Sequence, residues 1–78
     1  MPDQSDEWRR ALEVLASSPE GATEALLFAH GFTYRAITGL VDSGLATSTI
    51  ERVLADGHLV EVMRFRITEA GRVALDRP

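Results

Sequence analysis

Seventy-eight residues suffice for one domain with a small core, burying about 60 to 65 % of the surface that the unfolded chain exposes, and leave no room for a second. The absence of cysteine excludes disulfides, a thiolate nucleophile and cysteine-ligated metal, and the longest unbroken apolar run, residues 25–29, is too short to cross a bilayer. Twelve acidic against eight basic residues leave a net charge of −4, which weighs against a surface dedicated to nucleic acid; yet all eight basic residues are Arg, whose planar fork grips phosphate and carboxylate in fixed geometry.

Residues 1–10 are acidic and polar, without the basic start and apolar stretch of a secretory leader, so a cytoplasmic domain is expected, with residues 1–5 as a flexible tail. Trp8, Ala11, Leu12 and Leu15 recur at helical spacing over residues 6–17, and Asp6 and Glu7 in the first turn favour the helix dipole. The turn formers Ser17-Ser18-Pro19-Glu20-Gly21 end this first helix. A second, short helix is predicted over residues 22–30, with Leu26 and Leu27 facing inward and Gly31 at its exit. Thr33 then offers a hydroxyl cap to a third helix that buries Ile37, Leu40 and Val41 and stops at Ser43-Gly44. Gly39 inside that helix costs about 1 kcal/mol relative to Ala and marks a close helix approach.

Residues 48–56 read two ways. Ser48 and Glu51 have the spacing of a helix capping box, whereas Thr49, Ile50 and Val53 suit a strand. Asp56-Gly57 favours the strand, because both central residues of a type I′ hairpin turn need positive φ, and Asp-Gly supplies them. With that turn, Leu54 falls opposite Leu59, Arg52 opposite Glu61 and Ile50 opposite Met63. One hairpin face then carries Ile50, Met63, Phe65 and Ile67 toward the core; the other carries Val53, Val60 and Val62 near the tip and Arg64 and Arg66 near the base. Thr68 caps a last helix from Glu69, with Val73 and Leu75 packing back on the body.

The expected fold class is therefore α+β: three helices, a two-stranded β-hairpin and a short C-terminal helix in a single domain of residues 1–78. Leu26-Leu27-x-x-x-Gly31-Phe32-Thr33, Gly44-Leu45-Ala46 and Ile67-Thr68-Glu69-Ala70-Gly71-Arg72 are similar to the helix entry, the recognition-helix exit and the wing-to-helix junction of the winged helix-turn-helix superfamily. In this order the chain resembles small bacterial transcriptional regulators. If residues 48–56 were instead the recognition helix, only one short strand would remain after it. The resemblance implies that the helix from Thr33 to Ser43 enters a major groove while the hairpin, as the wing, touches the flanking backbone or minor groove.

On that basis the candidate DNA-binding residues are Thr33, Tyr34, Arg35 and Thr38 on the helix and Arg64 and Arg66 on the wing. Arg52 lies opposite Glu61, and Glu51 lies diagonally from Arg64, so Arg66 is expected to be the free cation of the wing. Three phosphate contacts would give a log-log salt slope of only about −2.7, so double-stranded DNA would require a homodimer for firm binding. Val53, Val60 and Val62 are the candidate interface. The alternative is a winged helix used for protein contact without DNA, favoured by the acidic total, the absence of Lys and the apolar hairpin face. Neither His30, at a helix end, nor His58, beside a turn, has a partner at triad or metal-ligand spacing, and no Gly-rich phosphate loop is present, so an enzyme, a metal or a cofactor is not expected.

Overall fold

The computed structural model describes residues 4–76. It is an α+β fold of four helices and a three-stranded antiparallel sheet, with helices α1 (Gln4–Ala16), α2 (Glu24–Ala29), α3 (Tyr34–Asp42) and α4 (Glu69–Asp76) and strands β1 (Ala22–Thr23), β2 (Ala46–Ala55) and β3 (His58–Ile67). Residues 4 and 5, read as part of the tail, belong to α1; residues 1–3 lie outside the described residues.

The predicted two-stranded sheet gains a third strand. Ala22 and Thr23, read as the start of a helix, instead pair with Phe65 and Arg64 and give the strand order β1-β3-β2. Two residues are too short a stretch to show a period of two, so propensity had nothing to register. Thr23 closes the strand and opens the helix at once: its backbone is extended, and its side-chain oxygen accepts from the Leu26 amide at 3.2 Å.

Ala11, Leu12 and Leu15 of α1, Leu27 of α2, Phe32, and Ile37 and Leu40 of α3 form the core with Ala46 and Phe65 from the sheet. Trp8 packs half-buried on the edge of this cluster, its ring lying against Gly39, where an added Cβ would come within 2.6 Å of the indole. The close approach expected at Gly39 is thus between α1 and α3. Two inward assignments on the helices fail. Leu26 is exposed, because only Leu27 of that pair lies on the buried side of so short a helix. Val73 is also exposed, and Gly71, Ala74 and Leu75 carry the inner face of α4 in its place.

Side-chain hydrogen bonds lock the junctions between elements. Thr68 accepts from the Gly71 amide at 3.0 Å as the cap of α4 and donates to the Gly44 carbonyl at 2.7 Å, tying the exit of α3 to the start of α4. Arg9 donates to the Leu75 carbonyl at 2.8 Å, holding α4 against α1.

β2 and β3 pair without interruption from Ala46↔Ile67 to Ala55↔His58, with Leu54↔Leu59, Arg52↔Glu61 and Ile50↔Met63 in the predicted register. Asp56 (φ 51°) and Gly57 (φ 80°) form the turn, so residues 48–56 contain strand and turn, not helix. Ten residues per strand make a hairpin of roughly 33 Å, longer than the helical layer that backs it, and the molecule extends 46 × 27 × 20 Å.

Candidate functional site

α3 presents its exposed side as predicted in part. Thr33 caps the helix by accepting from the Ala36 amide at 3.1 Å, and Tyr34 (63 % exposed) and Arg35 project from the first turn. Thr38 is half-buried and donates to the Arg35 carbonyl at 3.2 Å. Arg35 makes no ion pair with a described residue.

A carboxylate already sits at the helix start. Glu7 of α1 accepts from the Thr33 amide at 2.9 Å and from its hydroxyl at 3.2 Å. An anion at a helix N-terminus is favoured by the dipole and by the unsatisfied amides there. Glu7 supplies it from within the chain at the cap residue, so Thr33 is committed to internal bonds. This contact joins residues 26 apart, and no local pattern around Thr33 announces it.

The hairpin arginines are also answered. Glu51 on β2 pairs with Arg64 through the guanidinium Nε and with Arg66 at 3.8 Å, and Arg64 reaches the Gly21 carbonyl at 3.4 Å. Arg66 is therefore not the free cation expected; of the candidate arginines, Arg35 is the one without an ion pair to a described residue. The reason is the pleat: Glu51, Arg64 and Arg66 share one sheet face, and from its place opposite Val62 the Glu51 carboxylate reaches the next same-face residue of β3, Arg64, and the one after it, Arg66. Pro19 and Glu20 line the same cleft, adding a second carboxylate to it.

The two sets of candidates do not converge. Tyr34, Thr38 and Asp42 line a cleft with Glu24, Met63 and Phe65, on the sheet face that carries the helices. Arg64 and Arg66 alternate with Met63 and Phe65 along β3 and so point from the opposite face. Tyr34 and Thr38 therefore lie on the face opposite to Arg64 and Arg66.

The tip of the hairpin differs in character. Val53 and Val60 pair directly on the arginine-bearing face, 36 % and 42 % exposed, while Val62 is half-buried opposite Glu51. The larger apolar surface lies on the other face, where Leu54 is 73 % exposed, Leu59 71 % and Ile50 60 %. Ile50 was expected to feed the core. It has core-facing parity, but the helical layer ends below it, so the same pleat that buries Phe65 at the base leaves Ile50, Leu54 and Leu59 in water. Arg52 and Glu61 sit across from each other in the middle of this face, 4.0 Å apart and well exposed.

His30 ends α2 as its C-cap, its ring stacked on Phe32 at 6.1 Å, and His58 is exposed beside the turn. Among the described residues no group of three His, Asp or Glu side chains is placed to hold a metal ion, and no helix is long and apolar enough to cross a membrane. Comparison with protein-family models, with curated proteins and with solved structures finds no match, so the chain's own geometry is the ground on which its function must be argued.

Proposed function

We propose that this chain is a winged-helix protein-contact module whose hairpin wing meets another protein through its apolar tip. The observation that carries the reading is Glu51, which pairs with both Arg64 and Arg66 and halves the positive charge of the part of the wing on which phosphate binding would rest. Glu7 at the start of α3 and the net charge of −4 act in the same direction. The winged-helix description draws on the resemblance of the junction sequences and on the order of three helices, hairpin and closing helix.

Fluorescence anisotropy of a mixed-sequence DNA duplex, titrated with the protein at low salt, tests it. A flat titration is expected, since so few unpaired cations would displace few counterions. Binding that weakens steeply with added salt would overturn the reading.

A second reading, a DNA-binding transcriptional regulator, is favoured by Tyr34 and Arg35, both exposed at the start of the Thr33-capped helix α3. Under it Arg35 supplies the bidentate contact to a guanine edge, and Arg35→Ala abolishes retention of the duplex.

A further inference from the structure

We infer that the protein met by the hairpin tip is a second copy of this chain, packed through the face that carries Ile50, Arg52, Leu54, Leu59 and Glu61; the inference rests on the protein-contact reading and names its partner.

A two-stranded hairpin with both faces wet is marginal by itself, and here the rungs beyond Ile50↔Met63 have no helix behind them. β1 pairs only with Phe65 and Arg64, and β2 is the last strand of the sheet, so both edges of the arm are open as well. Something must cover this element for it to persist as a defined strand pair.

The charge pattern selects the occupant. The chain as a whole is acidic, and two copies repel through most of their surface. The arm face is the exception: its charged groups are one Arg52 and one Glu61, side by side and balanced, framed by Leu54 and Leu59 on one side and Ile50 and Met63 on the other. A neutral face with one cation and one anion is complementary to itself, because Arg52 of each copy can answer Glu61 of the other about a two-fold axis. A basic partner would gain more from the acidic body than from this face, and an acidic one would find only a cation already paired.

The area agrees. Ile50, Leu54 and Leu59 together expose apolar surface on the order of 400 Å², as large as the largest patch of a typical monomer. Two such patches, with the flanking Arg52, Glu61 and Met63, reach the roughly 1,000 Å² that a specific interface needs.

Light scattering on the full chain across a concentration series is the test. The expected mass is twice the 8.5 kDa of one chain. Leu54→Glu with Leu59→Glu should raise the dissociation constant by about 100-fold or more, since each copy would bury an unpaired charge. The circular dichroism of the body should be unchanged, because neither leucine belongs to the core. Val53→Glu with Val60→Glu, on the opposite face, should leave the dimer intact.

Charge exchange gives a second, independent readout. Arg52→Glu alone and Glu61→Arg alone should each lose self-association, while an equimolar mixture of the two variants recovers the dimer mass. A wild-type chain that stays monomeric throughout overturns the inference. So does a dimer that survives the leucine substitutions, or a mixture that stays monomeric. Monomers that also ignore DNA would leave the protein-contact reading standing with a different partner; salt-sensitive DNA binding would remove that reading itself.

Discussion

The base and the tip of one hairpin carry the same alternation of side chains and meet opposite fates. At the base, Phe65 and Ala46 are buried beneath the helices, and Met63 and Ile67 pack on the same cluster. At the tip, Leu54, Leu59 and Ile50 have the same parity and stand in water. The difference lies in length, since the strands outrun the layer that covers them. Apolar alternation therefore specifies which face a residue occupies, not whether anything lies above that face, and the exposed remainder is the ground on which the proposed contact rests.

Substitutions can break this comparison, and the largest effect belongs to the body. Leu40→Ala, at one of the most completely buried positions, is expected to cost about 2–5 kcal/mol in urea denaturation, from lost transfer energy and the cavity left behind. A smaller loss would mean that the helical layer is as loosely covered as the arm.

Gly71→Ala comes next. The added methyl would press on the Leu45 carbonyl and on Ile67, so α4 must move off the sheet base; overpacking of about 1–3 kcal/mol is expected to exceed the helix-propensity gain of about 1 kcal/mol. Thermal unfolding checks the sign, and stabilisation would show that α4 is free to shift.

Glu51→Gln probes the middle of the hairpin, where the pairs are half-exposed and screened by solvent. Loss of the carboxylate should cost about 1 kcal/mol or less and leave Arg64 and Arg66 unanswered. Those two cations should then confer weak DNA binding at low salt, with a log-log slope of about −1.8 in an anisotropy titration. Absence of any gain would mean that Glu51 is not what keeps this face from phosphate.

The smallest effect is expected at the tip. Leu54→Ala, studied in dilute solution, should change stability by less than about 0.5 kcal/mol, because the side chain is already in solvent. A core-sized loss would show that the tip is covered within a single chain.

Local chemistry made much of the fold legible. Asp56-Gly57 announced the turn, and the turn set the register from Leu54↔Leu59 downward, because a two-residue connection leaves no freedom in how the strands align. Thr33 and Thr68 announced helix starts because a hydroxyl three residues before an unpaired amide satisfies it. β1 was invisible: Ala22 and Thr23 are strand only because β3 lies beside them. The candidate site was less readable than the fold. Arg35 and Tyr34 are exposed as their helix positions predict, but the state of the hairpin arginines depended on Glu51 reaching two partners across the pleat, and that of Thr33 on a carboxylate 26 residues away.

Turn chemistry, capping hydroxyls and apolar spacing act within a few residues, so α1, α3, the hairpin and its register were already written in the order of amino acids. Which cations stay free, which core-parity residues find cover, and where a two-residue strand forms depend on distances between elements far apart in the chain. Those distances arise only when the helical layer closes over the sheet, and it closes over the base of the hairpin and not its tip.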